Sequence, residues 1–231
     1  MANQTPSIQP ADESTLPGVI KTAISKAMQS FDSMLPVEVV AYDRATNRAT
    51  VRHLVQMVGS DGEAVDRANV ASIRVMQPGN ATFNISLPIK PGDKGWLMAA
   101  DRDISTFQQG LQKGAPNTAR MHSFQDGVFM PDAMSNGDAP AGQEGRVVIG
   151  ANGGGSYMSF DEDTFFWDVG GATLEVTAST ITAVVGGVTL TLSGSGLAIT
   201  GGAVTHNGTD IGDTHVHGGV TPGGGNTGTP V

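Results

Sequence analysis

The second half of the sequence constrains the fold most strongly, because it is a series of short segments in which apolar and polar residues alternate. The segments are RVVIG, SYMSFDED, TFFWDVG, ATLEVTA, STITAVVG, GVTLTLSG and SGLAITGG. A spacing of about eight to ten residues per strand is typical of a β-meander or a β-solenoid. Since alternate side chains of a strand share a face, each strand is predicted to have one apolar face, as at Leu174, Val176 and Ala178.

A single ribbon of such strands leaves its apolar face in water. Isolated ribbons are only marginally stable, whereas three identical ribbons around a threefold axis bury every apolar face and pair every edge. The sequence therefore predicts a homotrimer whose residues 151–212 form an intertwined triple-stranded β-helix.

Charged residues are distributed unevenly along the chain. All 13 Lys and Arg residues lie at or before Arg146, and a domain boundary is predicted near residue 150. The net charge of −9 argues against nucleic acid as a partner, because binding to phosphates depends on clustered cations. The absence of cysteine excludes disulfide scaffolds, thiolate metal sites and cysteine nucleophiles.

Residues 37–110 are predicted to form a small β-barrel. The candidate strands are VEVVAYD, RATVRHLVQMV, NVASIRVMQ, TFNISLP and WLMAA. Five short strands separated by turn residues are typical of a barrel of the oligonucleotide/oligosaccharide-binding (OB) type. Because few aromatic residues accompany them, we interpret the barrel as a scaffold. His53 and His122 are predicted to be ordinary half-buried histidines.

The barrel is flanked by two segments with different patterns. Residues 1–36 are predicted to form a polar tail and an amphipathic helix, which either packs on its own domain or docks on a partner. The tail lacks the apolar core of a signal peptide, so we expect a protein made in the cytoplasm without an export signal. Residues 101–132 are a stretch of about thirty residues without a regular period. We expect residues 111–150 to form a connector that wraps the barrel or a neighbouring subunit.

Residues 213–231 contain an H-x-H pair and are predicted to form an apex. His215 and His217 lie two residues apart, so on a strand they face one direction. Alone, such a pair is read as two exposed histidines. Around a threefold axis, however, three copies supply six imidazole nitrogens, which suit an octahedral ion such as iron(II). We predict one octahedral first-row metal ion, such as Fe²⁺, per trimer on that axis, and we predict that His206 is an ordinary side chain.

A cluster of carboxylates at Asp161, Glu162 and Asp163 is the one feature that suggests an enzyme, since glycoside hydrolysis uses paired carboxylates. A solvated turn or a cation site is the preferred interpretation. The sequence lacks G-x-S-x-G, H-E-x-x-H and a phosphate-binding glycine loop with lysine. We therefore expect that the chain is not an enzyme and has no catalytic residues.

These features together resemble a known family. An N-terminal barrel precedes R-x-H-x-x-x-D-G-V-F-x-P-D at residues 120–132, then a repetitive β tail, then D-T-H-V-H-G-G-V near the end. This order is similar to the baseplate assembly protein V family, the membrane-piercing central spikes of contractile-tailed phages. The resemblance implies a barrel at the baseplate, a triple-stranded β-helix, and iron held at the apex by His215 and His217.

The resemblance also implies a function and partners. It implies a structural spike that pierces the host outer membrane on sheath contraction, located in the tail baseplate of the virion after assembly in the host cytoplasm. Its partners would be a baseplate hub protein, two further copies of the chain and, transiently, the outer membrane. The alternative is a trimeric receptor- or glycan-binding tip of a tail fibre or adhesin. Five aromatic residues after residue 150 lie at the start of the β tail and not at its end, which favours the spike: Tyr157, Phe160, Phe165, Phe166 and Trp167.

Overall fold

The computed structural model describes residues 15–29, 31–59, 62–134, 139–213, 215–216, 218–219 and 223. The chain divides into two compact units, Met1–Asn136 and Gly137–Val231, and both are built mainly from β-strands. The prediction of a mostly β protein is confirmed. None of the helices in the described ranges has the length and apolar content that a membrane span requires.

The first unit contains two helices and seven strands in its described residues. They are α1 (Leu16–Gln29), β1 (Met34–Asp43), β2 (Arg48–His53), β3 (Met57–Val58), β4 (Ala64–Val65), β5 (Val70–Val75), β6 (Lys94–Ala100), α2 (Ser105–Gly110) and β7 (Ser123–Pro131). Helix α1 begins after Thr15, whose side-chain oxygen accepts a hydrogen bond from the Gly18 backbone N–H at 3.2 Å and caps the helix.

Five of these strands close into a barrel in the order β1-β2-β5-β7-β6, with β6 returning to pair with β1. All neighbouring pairs are antiparallel except β5 and β7, which are parallel. A small closed five-stranded barrel is OB-like, as predicted. Strands β3 and β4 form a separate two-stranded hairpin between β2 and β5.

The barrel interior is the hydrophobic core of the first unit. Val37 and Val39 on β1 are buried, and the Glu38 side chain between them pairs with Arg52 on β2 at 3.0 Å. This alternation places apolar side chains inside and charged ones outside, as a half-buried strand requires. The remaining buried hydrophobic residues are Ala49, Val51, Val70, Ile73, Val75, Leu97, Phe124 and Phe129.

One predicted barrel strand was wrong. The TFNISLP segment, residues 82–88, contains no strand and makes only an isolated bridge between Gly79 and Asn84. The Asn80 side-chain oxygen accepts hydrogen bonds from the backbone N–H groups of Thr82 and Phe83, and so forms a turn where the strand was expected to begin. The apolar residues of this segment, Phe83 among them, are exposed.

The fifth barrel strand is instead β7, which lies inside the segment 111–150 that was predicted to be a connector. The barrel therefore extends to Pro131, well beyond residue 110, and the boundary between the two units falls after Asn136 and not near 150. Asp126 and Gly127 interrupt the apolar alternation of β7, yet both are buried. A charged side chain at an inward position breaks the alternation of apolar and polar residues, so hydrophobic periodicity does not identify this strand.

The second unit is a meander. Its strands are β8 (Val147–Gly150), β9 (Ser156–Phe160), β10 (Thr164–Val169), β11 (Ala172–Thr177), β12 (Thr180–Val185), β13 (Val188–Ser193), β14 (Gly196–Thr200), β15 (Thr205–His206) and β16 (Thr209–Asp210). Strands β8 to β14 form one seven-stranded sheet in sequence order, and every pair is antiparallel. All seven segments singled out in the sequence are strands, and within one chain they form the β-meander, one of the two arrangements that their spacing indicated.

Tight turns fix the register of this sheet. Gly170 and Gly171 join β10 to β11 with φ values of 63° and 91°, and Gly186 and Gly187 join β12 to β13 with 57° and 91°. Two-residue hairpin turns with positive φ at both positions match the twist of the flanking strands, and glycine adopts this conformation without strain.

Candidate trimer interface and metal site

One face of the seven-stranded sheet contains two fully apolar rows of side chains. Residues that pair across antiparallel strands share a face, so the register assigns every side chain of the sheet to one side or the other. One row of paired residues contains Val147, Phe160, Phe165, Val176, Ile181, Leu192 and Leu197. The next row contains Ile149, Met158, Trp167, Leu174, Ala183, Leu190 and Ile199. These two rows are called the apolar face below.

The apolar face is largely exposed in a single chain. Trp167 is 45% exposed, Leu192 47% and Leu197 61%. Among the described residues of the second unit, the buried set contains no hydrophobic residue and only one polar residue, Ser159. Burying one Val, Leu, Ile, Phe or Met side chain stabilises a protein by about 1.5–3 kcal/mol relative to leaving it exposed. A single chain that leaves a face of this size in water therefore lacks much of this stabilisation.

The opposite face of the sheet, called the polar face below, is mixed and contains most of its polar side chains. One row across it contains Val148, Ser159, Phe166, Glu175, Thr182, Thr191 and Ala198, and the next contains Gly150, Tyr157, Asp168, Thr173, Val184, Thr189 and Thr200. Residues 139–146 reach this polar face, where Ser159 Oγ donates to Gln143 Oε1 at 2.6 Å. A shift of register by one residue would exchange the two faces, so the contrast between them fixes the pairing.

Aromatic rings lie at the start of the apolar face. The rings of Phe165 and Trp167 are 5.6 Å apart, and those of Phe160 and Phe165 are 6.5 Å apart. A surface depression of about 470 Å³ lies beside them, and its apolar lining includes Phe160, Phe165 and Val176. The rings therefore contact one another within one chain and still present apolar surface to a further partner.

The carboxylate cluster at 161–163 forms a turn. Asp161 accepts hydrogen bonds from the backbone N–H groups of Asp163 and Thr164 at 3.0 and 2.8 Å, and it pairs with Arg146 at 2.8 Å. These backbone hydrogen bonds, together with the Arg146 guanidinium, lower the pKa of Asp161 below its ordinary value. A general acid in glycoside hydrolysis needs a raised pKa, so the shift at Asp161 is in the opposite direction.

Only one of the two predicted metal ligands lies within the described residues. His215 is described, and its Nδ1 contacts the backbone carbonyl oxygen of Gly212. His217 lies outside the described residues. A carbonyl only accepts hydrogen bonds, so this contact is a hydrogen bond in the tautomer that is protonated at Nδ1, and in that tautomer Nε2 has a lone pair available for a metal.

Within the described residues of one chain, no three His, Asp or Glu side chains come together as a metal site. His206 lies on β15, apart from His215 in sequence. In the barrel, the rings of His53 and Phe124 are 4.9 Å apart, and those of His122 and Phe31 are 4.3 Å apart.

A buried cluster of two aspartates around Arg120 was not foreseen from the sequence. The Arg120 guanidinium donates to both carboxylate oxygens of Asp126, at 2.6 and 2.8 Å, and lies 3.6 Å from Asp103. Asp103 also accepts hydrogen bonds from the Thr118 hydroxyl at 2.6 Å and the Ser105 backbone N–H at 2.9 Å. The cluster fastens the segment between β6 and β7, including α2, to the barrel. The sequence feature that could have predicted this cluster is the pair of opposite charges, Arg120 and Asp126, within the 120–132 motif.

Replacing Asp126 by alanine is expected to lower the free energy of unfolding of the barrel by about 2 kcal/mol, because a bidentate charged hydrogen bond is lost and the Arg120 guanidinium keeps only its longer contact to Asp103. Urea denaturation would be followed by Trp96 fluorescence in a Trp167→Phe background, since these are the two tryptophans of the chain. The exposed neighbour Gln125→Ala is the matched control, and equal midpoints for the two variants would contradict a stabilising role.

Barrel stability is also expected to depend on Asp103 in acid. Hydrogen bonds from Ser105 and Thr118, with a smaller effect of Arg120, hold the pKa of Asp103 far below its ordinary value. A carboxylate with a lowered folded-state pKa stabilises the fold above the unfolded-state pKa of about 3.9 and loses this contribution as the pH falls further. The urea midpoint should therefore fall below about pH 4 in the parent and less steeply in Asp103→Asn. Identical pH profiles would contradict this assignment.

Residues 35–132 match the family model described as the N-terminal domain of phage protein Gp138. None of the curated proteins matches the chain significantly. The matched region covers the closed barrel from β1 to β7, together with the Arg120–Asp126 pair. The match spans less than half of the chain, and it supports a structural role in a phage tail and a place in the virion.

Proposed function

We propose that this chain is the central spike of a contractile phage-tail baseplate, which pierces the host outer membrane as a homotrimer when the sheath contracts. The observation that carries the proposal is the apolar face, a sheet of seven strands with two fully apolar rows that one chain leaves in water. The phage family match of the barrel supports the tail as the setting.

The apolar face supports a threefold assembly of the shaft. Three sheets around one axis bury all three apolar faces against one another, while the polar faces with their threonines stay outside. In the proposed triple-stranded β-helix, each chain contributes the seven strands of its sheet. Oligomers of this kind leave no apolar sheet face uncovered, whereas a single chain would expose one.

Mechanical stiffness is the property that this architecture provides. A spike transmits axial force and needs no catalytic group, so we expect no enzymatic activity. Strands joined by two-residue turns leave little slack between neighbours, and a packed apolar axis resists deformation because protein interiors are close-packed. The barrel would serve as the base that joins the spike to a baseplate hub protein.

A metal at the tip would tie the three chains together. We propose that His215 and His217 of three copies hold one iron(II) on the threefold axis. When bound, the ion cross-links three chain ends that would otherwise fray. The contact between His215 Nδ1 and the Gly212 carbonyl supports this role, because it orients the ring and favours the tautomer that is protonated at Nδ1.

The charge pattern of the shaft is suited to passage through an outer membrane. No Lys or Arg follows Arg146, while carboxylates such as Asp168 and Glu175 remain. Cations on the shaft would bind the anionic phosphates of lipids and lipopolysaccharide and so retard passage. We propose that their absence keeps this attraction low.

Immunogold electron microscopy of the tail particles that contain this chain tests the proposal. An antibody against residues 147–200 should label a single position at the distal end of the tail axis before contraction. Label on peripheral fibres, together with saturable binding of the purified chain to host-surface glycans, would overturn the spike in favour of a receptor-binding tip. Label away from the tail would overturn both.

A further inference from the structure

Helix α1 presents an apolar stripe that its own barrel does not cover. Leu16 is 74% exposed, Ile24 58% and Met28 63%, and the helix also exposes Val19 and Ile20. An isolated helix of 14 residues is marginal in water, so it depends on packing of its apolar face. This exposure favours docking on a partner over packing on its own domain, the two alternatives that the sequence left for the helix.

The β3–β4 hairpin is a second uncovered apolar surface of the same unit. This hairpin surface consists of Leu54, Val55, Met57, Val58 and Val65, whose side chains are between 41% and 58% exposed. A threefold ring requires interfaces in which one surface of a copy meets a different surface of the next copy. The stripe and the hairpin surface are two such different surfaces. The structure leads us to infer that α1 of each chain docks on the hairpin surface of the neighbouring chain in the proposed trimer.

Charge selects the hairpin surface over the other exposed apolar segment. Helix α1 contains Lys21 and Lys26 and no acidic residue. Residues 54–66 contain three carboxylates and no Lys or Arg, whereas residues 76–92, which include the exposed Phe83, contain Lys90 and no carboxylate. A basic helix is therefore complementary to the hairpin surface, and complementary charges favour the correct pairing of two surfaces.

The same charges argue against two other partners for the apolar stripe of α1: the α1 helices of two further copies, and a membrane surface. On a helical wheel, Lys21 and Lys26 border the apolar stripe on opposite sides, so three parallel α1 helices would bring lysine against lysine. For a membrane surface, the segment 12–32 has three acidic residues against these two lysines, so it has no net attraction to anionic lipid.

An ion pair within one chain anchors the segment after α1 close to the hairpin of that chain. Asp32, three residues after the end of α1, pairs with Arg67 at 2.8 Å, and Arg67 follows β4 by two residues. This ion pair, half-buried, fixes the C-terminal end of the helix to the barrel at one point. The stripe itself remains available to the next copy in the ring.

The absence of native cysteine makes a cross-linking test specific. The full-length double variant Ile24→Cys, Val58→Cys would be treated with a bis-maleimide under native conditions and run on a denaturing gel. We expect covalent dimers and trimers to exceed by at least fivefold those from the matched control Ile24→Cys, Ile85→Cys, in which Ile85 is similarly exposed.

The native mass of the same samples separates this inference from the proposed trimer on which it rests. A trimeric mass with only the monomer band, including a link within one chain, overturns the docking and leaves the trimer intact. Equal cross-linking in the control likewise overturns the choice of the hairpin surface. A monomeric mass overturns the trimer and the docking together.

Discussion

Replacing Leu190 by aspartate is expected to convert the trimer into monomers. Leu190 lies on the apolar face, where it pairs with Ala183 on β12 and Ile199 on β14. In the proposed assembly three such carboxylates would be buried near one axis. Removing a carboxylate from water without a partner costs several kcal/mol per ion, and the three charges also repel one another. Native light scattering at micromolar concentration should therefore report one chain mass instead of three.

The adjacent residue supplies the control for this experiment. Thr191 lies on the polar face, opposite Thr182 and Ala198, so Thr191→Asp adds the same charge one residue away. This variant should keep the trimeric mass, since its carboxylate stays in solvent. If Leu190→Asp remained trimeric, or if both variants dissociated alike, the apolar face would not be the interface.

The sheet of the second unit was predictable because each of its determinants is local. Alternation at Leu174 and Val176 assigns the strand and its face within a few residues. The glycines at 170–171 and 186–187 then set the turn, and the turn sets the register. Local patterns of this kind do not indicate how many copies assemble. The partner of the apolar face could therefore be inferred only from the apolar side chains that stay exposed in one chain.

The barrel was harder to predict because it depends on contacts between distant residues. Phe83 lies in a strand-like pattern, but in the part of the chain that the structure describes its segment makes only the isolated bridge between Gly79 and Asn84. Strand β7 is recognised only when Asp126 is matched with Arg120, because the ion pair makes burial of the carboxylate tolerable. Parallel pairing of β7 with β5 joins residues about fifty positions apart, which no short window of sequence contains.

Loss of both tip histidines is expected to remove the metal and leave the trimer. A double variant His215→Ala, His217→Ala deletes the imidazole nitrogens proposed as iron ligands, while the apolar face is unchanged. Elemental analysis of the purified parent should give one iron per three chains, and the variant should give none. Light scattering on the same samples should report a trimeric mass for both, because in the proposed assembly the packing of the apolar faces, and not the ion, would supply most of the association energy.

His206→Ala is the matched control, since it removes an imidazole from β15 that was not assigned as a ligand. Its iron content should equal that of the parent. If His206→Ala lost iron as completely as the double variant, the ligand set would have to include β15. A parent trimer that binds no iron, nickel or zinc after reconstitution would contradict the metal site altogether. The apolar shaft would then have to hold the tip without a cross-link, and the case for a receptor-binding tip would strengthen.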